Sequence, residues 1–338
     1  MLTNFFIMYH SKITGLGYYV PENIVSNDDL SKIMDTNDEW IQERTGIKER
    51  RHVNSTEDTT TSMGVKAAEM AIQRSGLTND DIDFVVFATL SPDYYFPGSG
   101  VLVQEALQIP ECPAMDIRMQ CSGFVYAVAT ADQFIKTGMY KNVLVIGSEY
   151  HSGGLDMTTR GRNISVIFGD GAGAVLFEPS ENDFGYENAY LRSDGSGRDS
   201  LNIKAGGSLH PFDENTFING SHNIIQDGQT VFKNAVKNMA DASEKVMIQN
   251  KLSGDDIAFL LPHQANKRII DATSRRMNLS EDRVLMNIEK YGNTTSATLP
   301  LLLSDYESKF SKGDKLLFAA FGGGFTWGAV YLTWNYNN

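Results

Sequence analysis

The chain has 338 residues, enough for two domains of ordinary size or for one large duplicated domain. Its 29 basic and 42 acidic side chains give a formal net charge of −13, which argues against general binding to nucleic acid. Two cysteines suggest no disulfide framework, and the six histidines show no metal-ligand spacing, so no metal is expected.

The chain begins with a short apolar run, Phe5-Phe6-Ile7-Met8. This run is too short to cross a membrane, and no basic segment precedes it as in a signal peptide. It is typical instead of a strand, or of a start codon placed too early with Met8 as the true start. We therefore expect a cytoplasmic protein that does not associate with a membrane.

Two ten-residue segments far apart in the chain resemble each other, LTNDDIDFVV at 77–86 and LSGDDIAFLL at 252–261. An amphipathic helix is predicted before each, over about residues 62–74 and 231–249. In both copies a polar turn leads into an apolar run with the length and flanks of a buried strand. The duplication predicts an α/β protein built from two similar halves.

The elements that follow each copy also match in kind and order. They are a junction into a helix, the helix, a strand and a glycine-rich segment. In the first half the junction is at Cys121, after a strand at 113–117, and the helix runs to about residue 136. The next strand lies at 142–147 and the glycine-rich segment at 168–176. In the second half the junction is at Asn293 and the helix runs to about residue 310. The next strand lies at 315–320 and the glycine-rich segment at 321–330. We therefore predict an N-terminal half over residues 1–180 and a C-terminal half over residues 181–338.

Cys121 is the first candidate for chemistry, because it lies where a predicted strand meets a predicted helix. The positive end of a helix dipole favours a thiolate, whereas an unassisted thiol is only slightly ionised at neutral pH. Most free cysteines are buried and inert, and Cys121 alone favours that alternative. If the halves pack about a pseudo-twofold axis, Cys121 and Asn293 occupy equivalent helix starts. His263 then enters the same site from the end of a strand.

Each partner of Cys121 also has a purely structural interpretation. A lone histidine such as His263 is more often a satisfied structural residue than a catalyst. Asn293 fits the role of a helix N-cap. The glycines at 322–324 either form a tight turn or bring a backbone N–H close to a reacting carbonyl, as half of an oxyanion hole.

Four separated motifs resemble those of β-ketoacyl-acyl carrier protein synthase III, and the resemblance covers nearly the whole chain. The motifs are CSGF at 121–124, PHQAN at 262–266, GNT at 292–294 and FGGGFTWG at 321–328. Segments within 36–47 and at 168–174 match as well. The resemblance implies a thiolase-like α/β fold, in which two pseudo-twofold-related βαβαβαββ halves form a five-layered αβαβα structure.

The resemblance also implies a reaction, a decarboxylative Claisen condensation that initiates fatty acid synthesis. Cys121 takes an acyl group from acyl-CoA, and malonyl-acyl carrier protein then enters by the same tunnel. His263 and Asn293 donate to the malonyl thioester carbonyl and stabilise the enolate formed by decarboxylation. The N–H groups of Cys121 and Gly323 hold the tetrahedral oxyanion. No permanently bound cofactor is expected.

Further residues are assigned to binding by the resemblance alone. The CoA contacts are Thr36, Trp40, Arg44, Arg162, Asn266 and Arg268, with Trp40 and Arg162 around the adenine and Arg160 as an alternative to Arg162. The acyl-pocket residues are Phe96, Phe168 and Phe321, with Phe96 reaching across a homodimer interface into the partner's pocket. The patch for the acyl carrier protein is Lys233, Arg268, Arg275 and Arg276, for which a solvated helix face is the alternative.

Two features depart from the housekeeping pattern of the resembled family. Gln120 stands before the cysteine, where a small residue is usual, and the acyl-pocket loop reads SPDYYFPG at 91–98. Both features are closer to specialised relatives, so the alternative function is a condensing enzyme of secondary metabolism with a longer or unusual acyl donor. A hydrophobic pocket discriminates by only about 1–3 kcal/mol per methylene, so small loop changes can shift the preference.

Other classes fit the sequence less well. A thiolase needs a second cysteine near the terminal glycine segment, and the residues at 322–324 offer none. A 3-hydroxy-3-methylglutaryl-CoA synthase needs a glutamate acid near Cys121, and neither Glu105 nor Glu111 stands in a supporting motif. An ester-forming acyltransferase often replaces the asparagine, whereas Asn293 is present. A non-catalytic scaffold usually loses the nucleophile, whereas Cys121 is retained.

Overall fold

The structure is a computed structural model that describes residues 10–180 and 184–336. Its strands are β1 (His10–Tyr19), β2 (Ile24–Ser26), β3 (Glu49–Arg51), β4 (Phe84–Ala88), β5 (Ala114–Ile117), β6 (Val143–Glu149), β7 (Gly171–Ser180), β8 (Gly185–Ser193), β9 (Leu201–Asn202), β10 (Ile225–Gln226), β11 (Phe259–Pro262), β12 (Lys315–Gly322) and β13 (Thr326–Thr333). Its helices are α1 (Asn27–Ser31), α2 (Asp38–Thr45), α3 (Thr60–Ser75), α4 (Ser99–Ala106), α5 (Gly123–Lys136), α6 (Arg162–Ser165), α7 (Glu214–Asn219), α8 (Gly228–Gln249), α9 (Lys267–Arg276), α10 (Ile288–Tyr291) and α11 (Thr298–Asp305).

Two sheets form the frame of the fold, with strand orders β1-β7-β6-β4-β5 and β11-β12-β13-β8. The inner strands β4, β6 and β12 are buried along nearly their whole length, so their side chains alternate between two buried faces. On β4, Val86 joins a core cluster shared by both sheets, whereas Val85 and Phe87 join a cluster on the outer face. Both faces of each sheet are therefore covered.

Five layers follow from these clusters. α5 and α11 lie between the two sheets, since Phe124 and Leu302 share one core cluster with side chains of β4 and β12. α3 and α4 cover the outer face of the first sheet, and α8 and α9 cover the outer face of the second. This order of layers confirms the predicted five-layered αβαβα fold.

The sequence repeat appears as a repeated turn. Residues Asn79–Asp81 and Gly254–Asp256 each form a single 3-10 turn that leads into β4 and β11 respectively. Thr78 and Ser253 enter these turns, and each hydroxyl donates to an aspartate three residues later at 2.7 Å. The duplicated segment is therefore duplicated in conformation as well as in sequence.

The second half departs from the repeat at one sheet edge. β5 pairs with β4, whereas beside β11 a single bridge joins Leu260 to Val284. The order βαβαβαββ is therefore complete in the first half and lacks one strand in the second. α11 ends at Asp305 rather than near residue 310 as predicted. The side chains of Asn287 and Tyr291 donate hydrogen bonds to the Asp305 carboxylate at this end of the helix.

The strands of the first sheet come from residues 10–180 and those of the second from residues 185–333. The predicted boundary between the halves meets residues 181–183, which lie outside the described residues, and it stays a prediction. The apolar run at residues 5–8 and the question of Met8 also lie outside the described residues.

Candidate active site

Cys121 lies in a single 3-10 turn, Gln120–Ser122, between β5 and the first residue of α5. Its side chain is buried, with 8% of the residue exposed. Gln120 before it has a φ of 45°, in the left-handed region that few residues other than glycine adopt. The predicted junction of strand and helix is confirmed, and the turn aims the thiol into the space between the halves.

The expectation that Cys121 and Asn293 occupy equivalent helix starts is wrong by three residues. The turn that matches Gln120–Ser122 is Thr295–Ala297, which leads directly into α11. Thr295 has a φ of 51° and so matches Gln120. Ser296 is thus the counterpart of Cys121, while Asn293 belongs to the polar turn just before.

The pKa of the Cys121 thiol is raised to about 12. Burial of the sulfur is the main cause, and the negative charge of Glu149 adds to it. Hydrogen bonds from the side chains of Thr295 and Asn293 act in the opposite direction. The expected gain in thiolate at the helix start is outweighed, so the thiol is neutral at physiological pH.

His263 follows β11 directly, as predicted, and its backbone N–H donates to the Ala319 carbonyl at 2.7 Å. Its Nδ1 lies 2.7 Å from the Thr298 hydroxyl oxygen, whereas its Nε2 is buried with no hydrogen-bond partner. Burial lowers the pKa of His263 to about 3, so the imidazole is neutral at physiological pH. A satisfied structural histidine would not leave Nε2 unpaired.

Asn293 is fixed by its backbone, whose N–H donates to Ile167 and whose carbonyl accepts from Gly169. Its Oδ1 accepts from the Thr295 N–H at 2.8 Å, which is the kind of bond that an N-cap makes. The capping interpretation is therefore partly correct. The same bond turns the NH2 group toward Cys121, and an amide with two N–H groups can donate to the sulfur and to a second acceptor in the site.

A cavity of about 550 Å3 brings the three predicted catalytic residues together. Cys121, His263 and Asn293 lie in its wall, and its other lining side chains include Trp40, Arg44, Phe168, Asn266, Arg268 and Phe321. A histidine, an asparagine amide and a thiol at one end of a deep cavity can activate a thioester carbonyl and attack it.

The far end of this cavity is marked by Trp40, which has two arginines over its ring. The guanidinium carbon of Arg44 is 4.4 Å from the ring centroid, and that of Arg162 is 5.4 Å away. Both Arg160 and Arg162 form ion pairs, with Asp156 at 2.6 Å and with Asp35 at 3.0 Å respectively. The position of Arg162 over the Trp40 ring favours it over Arg160. Thr36 adds a buried hydroxyl without a hydrogen-bond partner.

Asn266 caps α9, with its Oδ1 accepting from Arg268 N–H and its Nδ2 donating to the Arg44 carbonyl, both at 2.8 Å. One amide N–H of Asn266 is left for a ligand. These bonds join the start of α9 to the end of α2, so the cavity mouth is built from both segments that the sequence assigned to CoA.

The glycine segment lies against the backbone of the nucleophile. A Cβ added at Gly322 would lie 2.8 Å from the Cys121 backbone nitrogen, closer than any side chain can approach. Gly323 lines a second cavity of about 670 Å3, which also reaches Cys121. The close approach at Gly322 explains why glycine is needed here, and the two predicted oxyanion donors, Cys121 and Gly323, line the same cavity.

The second cavity only partly matches the predicted acyl pocket. Phe168 lines it, whereas Phe321 lines only the first cavity. Phe96 lines neither and is 81% exposed in the isolated chain. Tyr95, from the predicted acyl-pocket loop, lines the second cavity, whereas most of its wall was not predicted, including Leu90, Arg118, Leu201, Phe212 and His222.

Two protein-family models match this chain. Residues 115–195 match the model described as 3-oxoacyl-[acyl-carrier-protein (ACP)] synthase III, and residues 247–334 match the model of its C-terminal part. Beta-ketoacyl-[acyl-carrier-protein] synthase III 2 of Bacteroides thetaiotaomicron is 45% identical over 325 residues, which cover 96% of each chain. The chain belongs to the β-ketoacyl-[acyl-carrier-protein] synthase III family.

Other members of the β-ketoacyl synthase III family are similar to this chain over nearly its whole length. The synthase III of Azobacteroides pseudotrichonymphae is 45% identical over 330 residues, covering 97% of this chain and 98% of that one. The crystal structure of the Aquifex aeolicus synthase III aligns with a TM-score of 0.88 and 40% identity, over 96% of this chain and all of that one. The thiolase-like fold and the acyltransferase class are thereby established for this β-ketoacyl synthase.

The predicted carrier-protein patch of this β-ketoacyl synthase lies on neighbouring helices. Lys233 is exposed on α8, and Arg268, Arg275 and Arg276 are exposed on α9. Arg276 pairs with Asp241 at 2.5 Å, which leaves less of its charge for a partner. Among the described residues, no helix is long and apolar enough to cross a membrane, and no cluster of acidic, histidine or cysteine side chains could hold a metal.

Four polar residues around Cys121 escaped the sequence analysis. They are Glu149, His151, Thr295 and Thr298. Two of them could have been noticed, since Thr295 and Thr298 follow Asn293 within five residues. Glu149 and His151 lie at and just after the end of β6, and only the packing of β6 against the turn Thr295–Ala297 brings them to the cysteine.

Proposed function

We propose that this protein takes an acyl group from acyl-CoA onto Cys121 and condenses it with malonyl-acyl carrier protein. The product is a 3-oxoacyl thioester, and the step initiates fatty acid synthesis. The observation that carries this proposal is the cavity in which Cys121, His263 and Asn293 meet and which runs to Trp40 and Arg44.

In the first half-reaction the Cys121 sulfur attacks the acyl thioester and CoA leaves as a thiol. The backbone N–H groups of Cys121 and Gly323 are proposed to hold the oxyanion, which the contact between Gly322 and the Cys121 nitrogen supports. Trp40, Arg44 and Arg162 are proposed to hold the nucleotide end of CoA. Arg162 would then move away from Trp40, since an adenine between two flat groups needs a wider gap than the present 5.4 Å.

In the second half-reaction the malonyl thioester carbonyl is proposed to accept hydrogen bonds from the Asn293 NH2 group and from His263 Nε2. Loss of carbon dioxide places negative charge on that oxygen, so these donors act most strongly in the transition state. The unpaired Nε2 and the oriented Asn293 amide support this role. The enolate carbon then attacks the acyl-cysteine and releases Cys121.

Two partners belong to the proposal. The exposed cations at 233, 268 and 275 suit an acidic carrier protein, and electrostatic attraction of this kind raises association rates. A second copy of the chain would cover Phe96, which is exposed together with Tyr94 and Tyr95. We also propose a cytoplasmic enzyme without a permanent cofactor, in keeping with a reduced cysteine as nucleophile.

Intact-protein mass spectrometry after incubation with acyl-CoAs of rising chain length tests the proposal. The wild-type protein should gain the mass of one acyl group, and Cys121→Ala should gain none while keeping its circular dichroism spectrum. Equal labelling of the two proteins, or no labelling by any donor, would refute the assignment. The preferred length decides between an ordinary short donor and the longer donor of a specialised relative, which the named relatives do not favour.

A further inference from the structure

A buried polar chain lies beside Cys121. Cys121 and Thr295 line the same cavity, and a hydrogen bond from the Thr295 side chain lowers the pKa of the Cys121 thiol. The Thr295 hydroxyl oxygen lies 2.6 Å from His151 Nε2. His151 is itself buried. One hydroxyl therefore connects the nucleophile to an imidazole that the reaction described above does not use.

The backbone at Thr295 indicates that this contact is specifically maintained. Thr295 has a φ of 51°, and a β-branched residue in the left-handed region is a strained conformation of the kind that clusters at functional sites. Asn293 Oδ1 accepts from its N–H, and its carbonyl lies 3.0 Å from the Thr298 hydroxyl oxygen. These contacts help to hold the backbone of Thr295 in the conformation that places its hydroxyl beside His151.

A carboxylate lies beside the imidazole. Glu149 Oε2 lies 3.9 Å from His151 Nε2, and the carboxylate is fully buried. Hydroxyls of Ser91 and Ser296 each donate to it at 2.7 Å. A negative charge at this distance attracts a positive charge that forms on the imidazole. The same charge opposes a bare thiolate at Cys121, so a proton held at His151 would offset it.

The other titratable groups around His151 come from two further segments. Asp170, just before β7, accepts from the His151 backbone N–H at 2.7 Å. His52, which follows β3, interacts electrostatically with His151, and its Nε2 lies 3.2 Å from the Phe168 carbonyl. Neither the Asp170 nor the His52 side chain takes part in the contacts that link the His151 ring through Thr295 to Cys121.

We propose that His151, acting through the Thr295 hydroxyl, accepts the proton of the Cys121 thiol when the acyl-enzyme forms. The S–H proton passes to Thr295 Oγ1 while the Thr295 O–H proton passes to His151 Nε2. Both hydrogen bonds reverse direction and no group is left unpaired. His263 is unsuited to the task, because its burial disfavours the imidazolium and no anion is paired with it.

The proton balance closes over the two half-reactions of the proposed function, on which this inference rests. The departing CoA thiolate takes a proton from water, while His151 keeps the cysteine proton beside Glu149 during the acyl-enzyme stage. When the condensation product leaves, the Cys121 thiolate is expelled and recovers that proton through Thr295. In this scheme His151 is a positioning residue that contacts no substrate atom.

The test measures the reactivity of the Cys121 thiol without any acyl donor. Uncharged iodoacetamide is used to alkylate wild-type protein, His151→Gln, Thr295→Ala and Thr295→Ser between pH 6 and 9, with Cys121→Ala as the blank. At neutral pH, His151→Gln and Thr295→Ala should alkylate about 100-fold more slowly, the lower end of what a positioned base contributes. Thr295→Ser keeps the hydroxyl and should stay within about threefold of the wild type.

The pH profile separates a proton acceptor from a structural residue. The wild-type rate should reach a plateau, because an acceptor inside the protein takes the thiol proton, whereas the His151→Gln rate should keep rising with hydroxide. His52→Gln is the matched control, because His52 is a neighbouring buried histidine that makes no contact in the series from Cys121 through Thr295 to His151. This variant should keep the wild-type plateau even if its thermal stability changes.

The inference is overturned if His151→Gln retains the wild-type rate and plateau, or if Thr295→Ser falls as far as Thr295→Ala. Acyl-enzyme formation, measured in parallel by mass, keeps the two proposals apart. A wild-type protein that accepts no acyl group but shows the predicted alkylation pattern would refute the proposed function alone. Normal acylation with an unchanged alkylation pattern in the variants would refute the proton relay alone.

Discussion

The Thr298 hydroxyl lies 2.7 Å from His263 Nδ1, and this contact determines which nitrogen of the imidazole carries the hydrogen. The hydroxyl has one hydrogen and two acceptors, because the Thr295 carbonyl is 3.0 Å away on its other side. If the hydrogen points to Thr295, His263 is protonated on Nδ1 and Nε2 is an acceptor. Only when it points to Nδ1 can Nε2 donate to the malonyl carbonyl.

Thr298→Ala should therefore impair decarboxylation and leave acylation nearly intact. Without the hydroxyl, nothing directs the proton to Nε2, and we expect kcat for condensation to fall about tenfold. Thr298→Ser restores the hydroxyl and should restore the rate. The measurement is carbon dioxide release from malonyl-acyl carrier protein, with acyl-enzyme formation as the internal control. An equal loss in both half-reactions would contradict this role.

Asn293→Ala should retain self-acylation but lose about 100-fold or more in decarboxylation, since the amide is the donor left free toward the malonyl carbonyl. Asn293→Asp is the matched variant, because a carboxylate can still accept from the Thr295 N–H but offers no N–H to the carbonyl. Asn293→Ala should gain acyl mass at nearly the wild-type rate, whereas Asn293→Asp should gain it more slowly, because a carboxylate beside Cys121 opposes ionisation of the thiol. Loss of acylation together with decarboxylation would show that the roles are not divided.

His263 should make the folded protein sensitive to mild acid. Its pKa falls from 6.5 to about 3 on folding, so the unfolded chain binds the extra proton and stability is lost as the pH drops below about 6.5. The contribution is about 1.4 kcal/mol per pH unit in that range. His263→Gln should reduce the slope of unfolding free energy against pH by about one proton. The unfolding free energies of the wild type and the variant are measured by denaturant unfolding between pH 5 and 7, at fixed protein concentration. Equal slopes against pH for the two proteins would contradict a neutral, buried His263.

Arg162 and Arg160 offer a matched pair at the cavity mouth. Arg162 lies over Trp40, whereas Arg160 is engaged by Asp156. Arg162→Ala should raise KM for acyl-CoA about tenfold, the loss of roughly 1.4 kcal/mol in binding, while kcat stays unchanged. Arg160→Ala should leave both constants near the wild type. The opposite result would transfer the adenine contact to Arg160.

Much of the frame could be predicted because it rests on local patterns. The repeat, the strand before Cys121, and the histidine at a strand end all follow from periodicity and short-range order. The prediction that Cys121 and Asn293 occupy equivalent helix starts is wrong because the halves match through two 3-10 turns, Gln120–Ser122 and Thr295–Ala297. Hydrophobic spacing does not reveal such turns.

The electrostatics of the site could not be predicted in the same way. The sequence analysis gave Cys121 a helix start and hence an easier ionisation, but it had no means of placing Glu149 nearby. That carboxylate reaches the site from another strand, and the depth of burial depends on both sheets. The fate of the thiol proton is therefore a property of tertiary packing rather than of the motif around the cysteine.

The burial of α5 and α11 between the two sheets has a consequence for how the molecule comes apart. Amide hydrogens in a protein exchange through local openings where few contacts hold a segment, and only through global unfolding in its core. The turns that carry Cys121 and Thr295 are attached to the helices of the central layer. We therefore expect Cys121 and its neighbours to belong to the last part of the protein to open.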